Sequence, residues 1–234
     1  MRVFAIALSM LIAACGSPSH PPLADVDSDG GGRLLTPSHD AAVSPDGGSA
    51  TSDVVVLIPA NPHAGTADFY IDAYEASVQG GRAVSVAGVA PAVLVDYAGA
   101  KQACLAGGKR LCTYAEWKVA CRGPKDLLFS FQADAQNLVS LCDVARTTNN
   151  TPGSLPSKTG AHAACKTDGY DVFDMIGNLT EWADSDTPVA AGVAFYQPAE
   201  ASTCDATLNR PGTTTPMPPT EKATDIGFRC CRSK

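Results

Sequence analysis

Apolar positions fall in a few short runs along this chain, and most runs are closed by Gly or Pro. The first, Met1 to Cys15, carries one Arg and then about a dozen apolar or small residues. That is shorter than the roughly 20 apolar residues a bilayer-spanning helix needs, so it reads as a signal peptide. Val54-Val55-Val56-Leu57-Ile58 is a β-branched run stopped by Pro59, the pattern of a buried strand. Phe69-Tyr70-Ile71-Asp72-Ala73-Tyr74-Glu75 alternates less cleanly but has the aromatic and β-branched content of a second strand. Small residues dominate from Glu75 to Val95, where loop and short strands are expected.

Two helices follow in the pattern. Asp96 can cap a helix over Tyr97 to Ala106, with Tyr97, Ala100 and Cys104 on one face and Gly107-Gly108 ending it. Thr113-Tyr114-Ala115-Glu116 is a capping box for a second helix, whose inner face is Trp117, Ala120 and Cys121 and whose end is Gly123-Pro124. Beyond Pro124 periodicity fades. Residues 146–169 and 183–226 are rich in Thr, Asn, Gly and Pro, and loops of that length in a compact domain call for crosslinks.

Composition agrees with a loop-rich chain: 234 residues with 21 Gly, 17 Pro and only 6% aromatics. A formal charge of −7, a pI near 5.0 and no basic block of five or more argue against nucleic acid or anionic lipid headgroups as partners. Residues 16–52 are Gly, Ser, Pro and Asp rich and lack the apolar surface to offset ordering entropy, so they read as a flexible tether. Ile12-Ala13-Ala14-Cys15 resembles the bacterial lipobox. The expected organisation is therefore a signal peptide at 1–14, a lipidated Cys15 and tether over 15–53, and a folded domain over 54–234. Such a protein would sit on a membrane by its acyl chains, in the bacterial cell envelope. Gly16 after the Cys favours the outer membrane or a periplasm-facing position.

Eight cysteines remain after Cys15: Cys104, Cys112, Cys121, Cys142, Cys165, Cys204, Cys230 and Cys231. An even number in an exported chain implies four disulfides, with 105 connectivities open. Zinc is the competing use, but no C-x-x-C pair occurs and His20, His39, His63 and His162 are scattered. The densest chemistry lies in Asp168 to Trp182, D-G-Y-D-V-F-D-M-I-G-N-L-T-E-W. Asp174 and Glu181 flank Gly177-Asn178, a turn that can aim carbonyl oxygens where the carboxylates also point, which suits a hard cation. A plain Gly-Asn turn with solvated carboxylates accounts for the same residues.

Three ordered segments, Gly108-Lys109-Arg110-Leu111-Cys112-Thr113-Tyr114-Ala115-Glu116-Trp117, Tyr170 to Trp182, and Gly227-Phe228-Arg229-Cys230, resemble the formylglycine-generating enzyme (sulfatase-modifying factor) family. They match its G-K-R-L-x-T-x-A-E-W, Y-D-M-x-G-N-x-x-E-W and G-F-R-C patterns, and Phe69 to Glu75 is similar to its early F-x-I-D-x-x-E. The resemblance implies an irregular α+β fold of C-type-lectin-like kind over residues 54–234. It also implies a calcium site on the side chains of Asp174 and Glu181 and the carbonyls of Gly177 and Leu179. A second family calcium site would use Asp143 and Val144, with its other ligands not identifiable. The family's disulfides map to Cys104 with Cys230 and Cys121 with Cys204. Cys112 is then assigned to Cys231, both being neighbours of family pattern positions, and Cys142 to Cys165.

The departures from the family bear on function. Its active members bind copper(I) through a C-x-x-x-x-C pair preceded by an R-x-x-G-G-S-W run, and soft thiolates are what copper(I) requires. The corresponding positions here fall near Ala194 and Ala199, and G-G-S-W is missing. Clustered histidines for iron are missing too, so neither copper nor iron is expected. The reading is a non-catalytic, calcium-stabilised binding or scaffolding module at the cell envelope, its ligand an envelope protein or a glycan. The alternative is an oxidoreductase of the formylglycine-generating type acting on exported proteins through other groups, with Asp184, Asp186 and Glu200 as candidate acid-base residues. A disulfide-hardened structural component with no specific ligand is a third possibility.

Overall fold

The computed structural model describes residues 53–131, 135–144 and 155–234. The signal peptide, Cys15 and the tether lie outside the described residues. The described residues fall within one compact unit.

The chain opens with strand β1 (Val55–Ile58), antiparallel to β2 (Phe69–Asp72), as the two apolar runs predict. Pro59, lacking an amide hydrogen, ends β1. A short hairpin of β3 (Ser77–Gln79) and β4 (Arg82–Val84) turns at Gly80-Gly81, where both residues have positive φ. Helix α1 (Tyr97–Ala106) begins where Asp96 accepts the amide of Gly99, and Gly107 closes it with amide contacts back to Ala103 and Cys104. After the two-residue strand β5 (Arg110–Leu111) comes α2 (Tyr114–Arg122), whose capping box forms in full between Thr113 and Glu116. Glu116 also holds Arg110 in a two-pronged ion pair of 2.6 and 2.7 Å. Trp117, Val119, Ala120 and Cys121 are the buried face of α2.

The second half contains more regular structure than its sequence suggests. Helix α3 (Ala135–Leu141), strands β6 (Thr180–Ala183) and β7 (Val189–Ala191), a 3-10 turn (Ala199–Ala201), and strands β8 (Ile226–Phe228) and β9 (Cys230–Ser233) all lie beyond Pro124. The strands are three or four residues long, too short to display a period. They exist because sheet partners brought from elsewhere pair with them.

Two sheets result. One has the order β1-β2-β9-β5, so the last strand of the chain inserts between strands near its start. The other has the order β7-β6-β8, with β6 and β8 parallel. Two apolar clusters flank this framework. The larger gathers Ile58, Phe69, Ile71, Trp117, Leu138, Val172 and Ile176; the other gathers Ala100, Leu111, Trp182, Ile226 and Phe228. Adjacent residues of a strand point to opposite faces, and here Cys230 enters the second cluster while Cys231 enters the first.

All four assigned disulfides form: Cys104–Cys230, Cys112–Cys231, Cys121–Cys204 and Cys142–Cys165. The first two fix β9 from both faces. The third ties α2 to the loop after the 3-10 turn, and the fourth ties the end of α3 to the segment leading into Asp168. They close loops of 126, 119, 83 and 23 residues, which on the chain-entropy account gives about 3 to 5 kcal/mol each. The crosslinks that the long loops call for are therefore present.

Candidate functional site

The turn from Asp174 to Trp182 is shaped by left-handed backbone. Asp174 has φ 57°, Gly177 82° and Asn178 53°. Gly177 is required twice over, because a Cβ there would also sit 2.3 Å from the carbonyl oxygen of Asp143. The same carbonyl accepts the amide of Asn178 at 2.9 Å, so the turn is seated on the residue after Cys142. β6 then carries Glu181 and Trp182 into the interior, both completely buried.

Glu181 meets Arg229, which β8 and β9 deliver from the other end of the sequence. Both side chains are buried, and Arg229 contacts both carboxylate oxygens at 2.6 to 2.9 Å. Trp117 of α2 donates its indole N–H to Glu181 Oε2 at 2.7 Å. Arg229 spends its remaining donors on the backbone carbonyls of Asp72 and Phe173. One guanidinium thus joins β2, the segment before the turn, and β6. Burial alone would favour the neutral form of Arg229, but the charge and hydrogen bonds of Glu181 prevail and hold its pKa above the ordinary value.

Two further carboxylates stand close by. Glu75, fully buried, accepts Asn178 Nδ2 at 2.5 Å and the amide of Leu179 at 3.1 Å. Burial, reinforced by Asp174 and Glu181, pushes it well above the usual carboxylate range. Asp174 accepts the amide of Gly160 at 2.7 Å and is pushed up to about 6, mainly by burial. Three buried carboxylates therefore face a single guanidinium. Next door, Asp72 is held by Lys109 at 2.8 Å and by the amide of Cys230 at 3.0 Å, and burial still raises it to about 6. Lys109 also reaches Asp53, pinning the start of the domain.

The turn's donors are all oxygen, as a hard cation requires. Asn178 Oδ1 and Thr180 Oγ1 are buried without a hydrogen-bond partner, and a cation beside the turn would favour ionised Asp174 over the protonated form that burial promotes. Asp174, Gly177 and Leu179 fit that role on this chemistry. Glu181 fits it only by sharing oxygens already held by Arg229 and Trp117. Among the described residues, no group of three or more His, Cys, Asp or Glu side chains is gathered closely enough to hold a metal ion by itself. Asp143, the residue of the second family site, instead accepts the hydroxyl of Ser157 at 2.8 Å.

The region matching the family's copper pair is filled. Ala194, in the loop after β7, and Ala199, the first residue of the 3-10 turn, are both buried. The amide of Ala194 donates to Gln197 Oε1 at 2.8 Å, and Ser202 Oγ donates to the carbonyl of Pro198 at 2.9 Å. Cys204 beside them is committed to Cys121, and all eight cysteines after Cys15 are in disulfides. Disulfide sulfur offers no thiolate for metal or redox work. Of the candidate acid-base residues, Asp184 takes the Tyr97 hydroxyl and, at 3.1 Å, the Lys101 ammonium, Asp186 is exposed, and the Glu200 side chain lies outside the described residues.

Sequence reading missed Glu75, Trp117 and Arg229 as parts of this centre. The available signal was a charged residue inside an apolar stretch, F-Y-I-D-A-Y-E and G-F-R-C-C, since a charge in such a setting is buried only with a partner.

Comparison with known proteins agrees with the geometry. Residues 70–234 match the model of the sulfatase-modifying factor enzyme 1-like domain. A curated bovine (Bos taurus) relative, "Inactive C-alpha-formylglycine-generating enzyme 2", is 28% identical over 160 residues, or 60% of this chain and 49% of its own. The chain thus spans about half the length of that relative. Among solved structures, Treponema denticola variable protein 1 aligns with TM-score 0.51 at 13% identity over 78% of this chain and 93% of its own, a likeness of fold alone. PvdO from Pseudomonas aeruginosa aligns with TM-score 0.45 at 18% identity over 77% and 91% of the two chains. The buried motif residues and the match over most of the chain make this protein a member of the sulfatase-modifying factor enzyme 1-like domain family.

Proposed function

We propose that this chain is a non-catalytic member of its family, an exported binding or scaffolding module held at the cell envelope by a lipid on Cys15 and stabilised by calcium at the Asp174–Glu181 turn. The observation that carries the reading is the burial of Ala194 and Ala199 where active relatives need a thiolate pair. With all eight cysteines after Cys15 in disulfides, the described residues offer no thiolate pair for copper(I). The description of the bovine relative as inactive points the same way. Calcium is supported by the all-oxygen turn, the unpartnered Asn178 Oδ1 and the surplus of buried carboxylates. The ligand on this reading is an envelope protein or a glycan. Among the described residues no helix is long and apolar enough to cross a membrane, which is compatible with attachment by acyl chains.

The test is metal and thiol analysis of the full chain carrying Cys15→Ser, equilibrated with trace calcium, copper and iron. The expected result is about one calcium per chain, no stoichiometric copper or iron, and no thiol titrated after unfolding without reductant. Stoichiometric copper together with a titratable thiol pair would overturn the proposal.

A further inference from the structure

A shallow cleft of about 510 Å³ lies between Phe131 and the loop from Lys166 to Asp171. Its volume falls within the range of small-molecule sites, and its two aromatic walls are Phe131 and Tyr170. Both rings are half-buried against the larger apolar cluster, which leaves part of each toward the cleft.

The walls are fixed before anything binds. Ser130, which delivers Phe131, is buried and has φ 69°, a strained conformation for a residue with a side chain. Its hydroxyl lies 3.0 Å from that of Thr167, and its carbonyl accepts the amide of Asp168 at 2.8 Å. Gly169 turns the loop at φ 86°, so close to Pro124 that a Cβ would sit 2.6 Å from the ring. The Tyr170 amide then donates to the Thr167 carbonyl at 3.1 Å. Cys142–Cys165 anchors the incoming strand of this loop. Rigid walls reduce the ordering cost of binding.

Charge decides what the walls suit. Asp168 is paired with Lys125 and Asp171 with Lys166, each at 2.7 Å, so the cleft's carboxylates are already neutralised. An ionic ligand would have to displace one of these partners, and a wholly apolar one would strip water from both pairs without replacing its hydrogen bonds. A neutral polyhydroxylated ring does neither. Its C–H face can lie on an aromatic ring while its hydroxyls bridge carboxylate and ammonium. We propose that this cleft binds a neutral saccharide of one or two sugar units. The proposal deepens the binding reading above and rests on it.

The experiment probes the full chain carrying Cys15→Ser with an array of neutral oligosaccharides of glucose and N-acetylglucosamine and of acidic ones bearing uronic or sialic acid. The best binder is then titrated by calorimetry. The expected result is a neutral saccharide with Kd below about 5 mM, changed less than about twofold between 0.15 and 1 M salt, and weakened about tenfold or more by Tyr170→Ala. Asp171→Asn alters only an exposed pair and leaves the fold in place; it should weaken binding by about fivefold. The proposal is overturned if no neutral saccharide binds, if binding is confined to acidic sugars and lost at 1 M salt, or if both substitutions leave the affinity unchanged. Its failure is separable from failure of the non-catalytic reading, which is decided by copper, thiols and peptide turnover and not by sugars.

Discussion

Arg229 and Glu181 show how a single pair can hold a fold together without adding much to its net stability. Taking both charges from water costs several kcal/mol per ion, which their mutual attraction and hydrogen bonds roughly repay. Removing one partner leaves the other charge stranded. Glu181→Gln is therefore expected to destabilise by about 3 to 5 kcal/mol, lowering the thermal midpoint by on the order of 10 °C for a domain of this size. Glu75 is a poor replacement counter-ion, since burial favours its protonated form. A midpoint within about 2 °C of the unaltered protein by circular dichroism would show that the pair is dispensable. Gly177 makes a sharper case. Gly177→Ala adds a Cβ that meets the Asp143 carbonyl at 2.3 Å in a backbone conformation that disfavours side chains. The expected loss exceeds about 3 kcal/mol, read as a lower urea midpoint with an unchanged slope; a neutral result would mean that the turn can relax.

At the scale of elements, the buried carboxylates tie stability to pH. Asp72 on β2 and Asp174 at the turn have folded pKa values of about 6 against 3.8 for the ordinary residue. Between those values the folded chain binds more protons than the unfolded one, so stability falls as pH rises from about 4 to about 6, and Glu75, raised well above its ordinary range, carries the fall further. Asp68 and Asp96, held below the usual range by Lys234 and by the amide of Gly99, act in the opposite sense only below about pH 4. With a chelator present, calorimetry should give a higher thermal midpoint at pH 5 than at pH 7.5. Calcium in the millimolar range should raise the pH 7.5 value and flatten the difference, because the ion favours ionised Asp174. A midpoint that drops toward pH 5 in chelator would contradict the burial of these groups.

The same elements show what the sequence made legible. Helices α1 and α2 were readable to the residue because Asp96, Thr113, Glu116, Gly107 and Gly123 carry local hydrogen-bonding and backbone signals. Strands of two to four residues such as β5 and β8 carry no such signal, and α3, seven residues long, is too short to display a helical face. The ion cluster was hidden for another reason: Glu75, Glu181 and Arg229 are brought together only by the interleaving of β2, β6, β8 and β9. Asp174 and Glu181 were found because they share one short motif.

For the whole molecule, closure is the organising feature. β9 lies between β2 and β5, and Cys104–Cys230 and Cys112–Cys231 fix it there. Few regular elements are then needed, and the long loops are free to carry different surfaces. On the proposed reading, one such loop carries a hydrogen-bonded plug at Ala194 and Ala199 in place of a thiolate centre. The most direct measurement of this account is incubation of the copper-supplemented full chain carrying Cys15→Ser with a Cys-x-Pro-x-Arg peptide under oxygen, followed by mass spectrometry of the peptide. The account predicts that the cysteine is recovered intact; its conversion to the formylglycine aldehyde above the level of a protein-free control would contradict it.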